Sequence, residues 1–378
     1  MSGDRTAGGA GDAVPEAAFV GALAGLPGMG PARLRPLLDR YAAVEAWQRV
    51  VAGDVPGAPA HLVERWAAAA RGTDVAGQWR ATARLGLHVL TPRSPAWPVA
   101  LVDDPEPPAV LFADGDLRAL RRPCVAIVGT RRCTHGGRQV ARSLGHDLAA
   151  AGVCVVSGLA LGIDGAAHAG ALAADRGAPP AGVVATGLDV VYPRRHEHLW
   201  DAVAGSGVLL SEAPPGTRPE RWRFPARNRI IAALADVVVV VESRARGGSL
   251  HTVESALERD RTVMAVPGSV RSPASAGTNA LLAAGCAPCR DAGDVLVALG
   301  LQGVAPAPAP AAAAAAAGVE PPDAEAAAIL DALGWEPATV DQLADRLDVP
   351  LGPLTVRLRA LERHGWVTTS GAWVERAR

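Results

Sequence analysis

Six runs of apolar, mostly β-branched residues recur in the middle of the chain without polar alternation. They are Val125–Gly129, Val153–Val156, Val183–Ala185, Val208–Leu210, Val237–Val241 and Val263–Val266. A run of this kind reads as a strand buried on both faces, as in a parallel sheet. Most are followed by a stretch with helical periodicity, so the pattern predicts βαβ units and an α/β, doubly wound, Rossmann-like sheet. Ahead of them, helical character extends to about Leu85. It includes Leu23-x-x-Leu26-Pro27-Gly28-Met29-Gly30-Pro31-Ala32, a helix, a Gly–apolar–Gly turn and a second helix. This is the pattern of a helix-hairpin-helix, which presents backbone N–H groups to a phosphate. It is equally that of a tight helical hairpin in a protein-contact domain. From Leu87 to Leu120 the chain is Pro-rich but keeps returning to apolar residues, which predicts an extended lead-in with one or two edge strands.

Near Val304 the composition shifts to Ala-Pro repeats and a run of alanines, the mark of a semi-rigid linker. Beyond it the periodicity predicts helices over Ala324–Leu333, Thr339–Leu347 and Leu351–His364. The third places Leu351, Leu354, Leu358 and Leu361 on one face. Two short strands around a Ser-Gly turn complete a winged helix, a module that reads DNA in some proteins and contacts protein in others; Glu362 and Glu375 dilute its basic face. The expected map is a disordered tail over 1–15, a helical helix-hairpin-helix (SAM-like) domain over 16–85, a Rossmann-like domain with its lead-in over 86–302, a linker over 303–322 and a winged helix over 323–378.

Composition narrows the chemistry. The formal net charge is −1 over 378 residues, so any nucleic-acid binding must come from a local patch. No lysine occurs; every side chain of that class is an arginine, which suits planar, bidentate phosphate recognition. Of five cysteines, Cys124 and Cys154 sit in strand-like runs and read as buried hydrophobes. Cys286-x-x-Cys289 has no second pair, and the expectation is reduced thiols with no metal. The first residues lack the basic and apolar regions of a signal peptide, and no apolar run reaches membrane length, so the expected place is the cytoplasm, with no membrane contact.

Ligands of doubly wound sheets bind outside the carboxyl ends of the strands. Four Gly or polar loops fall there: Gly129–Arg132, Ser157–Asp164, Gly187–Asp189 and Gly247–Ser249. The stretch Phe224-Pro225-Ala226-Arg227-Asn228-Arg229 adds two guanidiniums just upstream of the Val237–Val241 run. Arg227 and Arg229 are two apart and reach one ligand only from a loop or first turn, which Pro225 favours; the alternative is a salt bridge to Glu212 or Glu242. Candidate binding residues are therefore Gly129, Thr130, Arg131, Arg132, Ser157, Gly158, Gly162, Asp164, Arg227, Asn228, Arg229, Gly247, Gly248 and Ser249. Asp164 is expected to cap the helix that follows it, and His168 to be a packed helix residue. The dinucleotide fingerprint is absent after the first strand, so no nicotinamide cofactor, and no other cofactor, is expected.

These loops carry a family resemblance. Val128-Gly129-Thr130-Arg131, Ser157-Gly158-Leu159-Ala160-x-Gly162-Ile163-Asp164-x-x-Ala167-His168, Gly187-Leu188-Asp189-x-x-Tyr192-Pro193, Ser211-Glu212, Phe224-Pro225-x-Arg227-Asn228-Arg229-Ile230-Ile231 and Pro267-Gly268 occur in the order seen in the DNA-processing protein A (DprA/Smf) family. With their flanks they span about Trp97 to Leu299. The resemblance implies a non-enzymatic, cytoplasmic, dimeric protein that binds single-stranded DNA and loads the RecA recombinase during natural transformation. One position departs: Leu161 stands where many members carry a basic residue that helps hold the DNA, leaving Arg131, Arg132, Arg194 or Arg195 to compensate. A rival reading takes Gly247-Gly248 with Glu254 as the loop of a Rossmann-like nucleoside-monophosphate phosphoribohydrolase. Leu250 and His251 stand where that loop has a glycine and a threonine.

Overall fold

The computed structural model describes residues 14–301, 323–334, 337–370 and 373–377. The expected linker, and the expected tail apart from residues 14 and 15, lie outside the described residues. The chain divides into two compact units, neither of them a continuous stretch.

The first unit gathers the chain up to Asp114 with Val184–Val191 and Leu209–Arg223. Five helices lead it: α1 (Glu16–Ala24), α2 (Pro31–Arg40), α3 (Ala43–Ala52), α4 (Ala60–Arg71) and α5 (Val75–Arg84). Leu23, Leu34, Trp47, Val50 and Trp66 form their core. The Trp66 indole donates to the Pro27 carbonyl at 3.0 Å, which fixes the hairpin between α1 and α2. Within that hairpin the Met29 and Gly30 amides already donate to Leu26 and Gly28. β1 (His88–Leu90), an edge strand as expected in the Pro-rich lead-in, pairs antiparallel with β2 (Leu111–Gly115), which lies inside the sheet beside β6 (Val208–Ser211).

The second unit contains the parallel sheet. Its strands are β3 (Cys124–Val128), β4 (Cys154–Ser157), β5 (Ala181–Val184), β7 (Val237–Val240), β8 (Thr262–Ala265) and the short β9 (Ala287–Pro288), in the order β5-β4-β3-β7-β8-β9. Every residue of β3, β4 and β7 is buried, which explains why these runs lack polar alternation. The helices are α6 (His135–Ala150), α7 (Ile163–Ala173), α8 (Glu197–Ser206), α9 (Arg223–Leu234), α10 (Leu250–Leu257), α11 (Ala276–Ala283) and α12 (Ala292–Ala298). Parallel β3 is flanked by β4 on one side and β7 on the other, so the sheet winds outward in both directions from this pair. The gap between β3 and β7 is the topological switch point.

The apolar face of α12 is covered within the chain: Ala292, Val295 and Leu296 pack with Leu144 and Leu148 of α6 and Val239 of β7, while Val297 and Ala298 are exposed. Also in this unit, helices Ala324–Leu333, Val340–Leu347 and Leu351–Arg363 with β10 (Ala338–Thr339), β11 (Val367–Ser370) and β12 (Trp373–Arg376) form the winged helix. Leu354, Leu358 and Leu361 enter its core as expected, but Leu351 is exposed, because it opens its helix before the turn faces the interior.

Candidate nucleic-acid interface

A cavity of about 510 Å³ lies at the switch point. Its walls are the loop after β3 (Gly129–Arg132), Ala160 and Asp164 after β4, the start of α9 (Phe224, Pro225, Arg227, Asn228) and the segment from Arg244 to Thr252 after β7. Ten of the fourteen sequence candidates line it: Gly129, Thr130, Arg131, Arg132, Asp164, Arg227, Asn228, Gly247, Gly248 and Ser249. The parallel order brings them together, since loops at the carboxyl ends of adjacent strands open on the same side.

The other four are placed elsewhere. The buried Ser157 hydroxyl donates to the Ile127 carbonyl at 2.6 Å, joining β4 to β3. Gly158 is a packing glycine: a β-carbon there would strike the Arg227 guanidinium. Gly162 adopts φ +84°, and a β-carbon would collide with the Thr130 and Arg131 backbone, so this glycine lets two walls of the cavity close on each other. Arg229 is buried and does not line the cavity. The expectation that Arg227 and Arg229 share a ligand from a loop fails because α9 already begins at Arg223. Two helical residues that close in sequence point to different faces.

Arg227 anchors the floor. It is buried, its Nη1 donates to the Gly158 carbonyl at 2.8 Å and to that of Val183, and its Nε donates to Asn228 at 3.2 Å. Burial lowers its pKa to about 10, with the Asp164 carboxylate working the other way, so it stays a cation at neutral pH. Asp164 is also buried, and its carboxylate accepts from the Gly158 amide at 3.1 Å. Burial pushes its pKa up, while Arg227 and the loop amides pull it back. Asp164 is not the cap of α7: Gly162 holds that position, and Asp164, one residue inside the helix, braces the preceding loop instead. His168, buried in α7, has its pKa lowered to about 4 by desolvation and is neutral at ordinary pH, the packed residue expected.

Glu242, one of the two expected salt-bridge partners, is held by the loop after β3. Its carboxylate takes the Thr134 amide at 2.9 Å and the Thr134 hydroxyl at 2.5 Å, and its carbonyl takes the Thr130 amide at 2.8 Å. The arginine-bearing loop is thereby pinned to the end of β7. Above the floor, the Arg131 guanidinium lies 4.8 Å from the Phe224 ring centroid, and Phe224 meets Tyr192 at 5.5 Å. Asn228 Nδ2 reaches the Gly248 carbonyl at 3.4 Å, and no atom lies within 4 Å of a β-carbon placed on Gly248, so the glycine loop is open to the cavity.

Sequence reasoning missed Arg244 and Arg246, both exposed and both lining the cavity. They lie between the Val237–Val241 run and Gly247, at the carboxyl end of a predicted strand, and that position was the signal. Arg194 and Arg195, offered in place of a basic residue at 161, are exposed but do not line the cavity. Glu254, the residue the phosphoribohydrolase reading requires, is also outside the lining, with its carboxylate 3.1 Å from the His251 ring.

The family described as DNA recombination-mediator protein A matches residues 88–300, and the DprA winged helix domain matches residues 305–371. DNA processing protein DprA of Bacillus subtilis is 41% identical over 215 residues, 57% of this chain and 72% of its own length. Protein Smf of Escherichia coli is 34% identical over 288 residues, 74% of this chain and 75% of its own. The X-ray structure of DprA from Streptococcus pneumoniae matches with a TM-score of 0.64 at 31% identity, covering 75% of this chain and 98% of that one. A structure describing the single-stranded DNA binding mode of DNA processing protein A from Helicobacter pylori matches with a TM-score of 0.51 at 30% identity, covering 56% and 95%.

Proposed function

Because the chain belongs to the DNA recombination-mediator protein A family, we propose that the switch-point cavity binds single-stranded DNA, chiefly through its phosphates. The observation that carries this reading is the convergence of five guanidiniums, Arg131, Arg132, Arg227, Arg244 and Arg246, on one cavity beside an open glycine loop. Arginine forks match phosphate oxygens in a bidentate manner, and glycine lets the backbone approach closely. Aromatic residues are 4% of the chain, so stacking platforms are few and backbone charge dominates. Arg244 and Arg246 supply the positive charge that Leu161 does not.

Asp164 is tied to a loop amide and Arg227 to carbonyl oxygens, engagements that support a binding reading. The protein acts as a binding factor without hydrolytic or redox turnover. Protection of incoming DNA during natural transformation, loading of the RecA recombinase, homodimerisation and a cytoplasmic place belong to the same reading, and the family likeness is their support. No helix among the described residues is long and apolar enough to cross a membrane.

The test is a salt titration of affinity. Binding of a labelled oligothymidylate should weaken with salt at a slope of about −0.7 per contacted phosphate. Arg131→Ala should weaken all sequences alike and flatten the slope by about one contact, with an unchanged melting temperature. An unchanged slope together with a destabilised fold would make Arg131 a scaffold residue.

A further inference from the structure

The winged helix carries a feature that neither the cavity nor the family likeness uses. Glu375, on β12, reaches away from its own module and accepts a hydrogen bond at 2.5 Å from the backbone N–H of His135, the first residue of α6. The loop before α6 is the arginine-bearing wall of the cavity, with Arg132 three residues upstream. A carboxylate at a helix N-terminus is favoured by the macrodipole, so the contact is attractive for the protein alone. For a bound polyanion on the adjacent wall the same carboxylate is repulsive.

The rest of the module points the same way. Residues 323–378 hold nine carboxylates against six arginines. On helix Leu351–Arg363, which would enter a DNA groove in a groove-reading winged helix, Arg357 is engaged by Asp323 at 3.4 Å and by Glu325. Arg359 and Arg363 of the same helix are exposed, but the module is net acidic and its Arg357 is already paired, which suits it as a counter-charge for an arginine-lined wall.

Resting on the single-strand reading above, we propose that the winged helix is an autoinhibitory module. Docked by Glu375 on the first turn of α6, it sets negative charge beside Arg131 and Arg132 and must yield when a strand runs on past the cavity. Reciprocity requires that docking weaken DNA binding by the same factor by which bound DNA weakens docking.

The experiment uses the full chain and a labelled oligothymidylate long enough to extend beyond the cavity. Glu375→Gln should tighten binding about fivefold at low salt, the lower end of an ordinary coupling, and the difference should shrink at high salt as the charges are screened. His135→Pro breaks the contact from the other side: proline is accepted at a first helical position and has no N–H to give, while Glu375 keeps its charge. It too should tighten binding, and it carries the test if the first variant fails to fold. Hydrogen exchange in the first turn of α6 should be faster in free Glu375→Gln than in the parent protein. Equal affinity in the parent and both variants, tightening that persists at high salt, or unchanged exchange would each overturn the proposal. If neither the parent nor the variants bind the strand, the single-strand reading falls with it; if all bind equally, only the autoinhibition falls.

Discussion

Arginines do different work in the switch-point cavity and in the winged helix. In the cavity, Arg227 is buried against carbonyl oxygens and near Asp164, while Arg131, Arg132, Arg244 and Arg246 are exposed along the lining. In the winged helix, Arg357 is half exposed and paired with two carboxylates of its own module. One residue type thus appears as a structural anchor, as cavity-lining charge and as an internal counter-ion. Only its neighbours distinguish the three, so counting basic residues cannot locate a DNA-binding surface.

The contrast breaks first at Arg227. Replacing it with Leu leaves the Asp164 carboxylate and two carbonyls buried without their cation, and should destabilise the second unit by about 3–5 kcal/mol. Thermal unfolding reads this; a melting curve like that of the parent would demote Arg227 from anchor to lining.

The buried core below the cavity should also respond to acid. His168 keeps its ring neutral in the fold down to about pH 4, whereas in the unfolded chain it takes a proton below its ordinary value near 6.5. The unfolded state then binds more protons between those values, so stability is lost as pH falls through this window, by about 3 kcal/mol in total. Asp164 acts in the opposite sense, its raised pKa relieving strain as the carboxyl protonates. His168→Gln should flatten the pH dependence between about 6.5 and 4 in chemical denaturation series; an unaltered profile would show that the ring is solvated in solution.

A smaller effect, on binding alone, is expected at the rim. Arg244→Ala and Arg246→Ala should each weaken oligothymidylate binding and remove about 0.7 from the salt slope, with no change in melting temperature. If either melts earlier, that arginine belongs with Arg227. The smallest effect is expected in the winged helix, where Arg357→Ala should leave strand affinity and melting temperature close to those of the parent, since exposed pairs contribute little. A clear loss of strand affinity there would erase the distinction between the two regions.

Much of this molecule was legible in one dimension. The buried runs became β3, β4 and β7 almost to the residue, because a strand covered on both faces admits only apolar side chains. Loops at the carboxyl ends of those strands followed from the winding rule, and with them eight of the ten candidates that line the cavity; Arg227 and Asn228 come from α9. The winged-helix elements were equally plain, since 3.6-residue periodicity is local information. Tertiary structure alone decided the rest. It turned Arg229 away from Arg227, because the helix began at Arg223 rather than after the Pro225 turn. It made Gly158 and Gly162 clearance between walls, made Ser157 a strap between strands and put Asp164 on a loop amide rather than at a cap. It also gave Glu242 to Thr134, more than a hundred residues away in sequence, and Glu375 to the backbone of His135. Periodicity records which face of an element is buried. What a buried charge or a packing glycine meets depends on segments that the chain brings together only when the sheet closes.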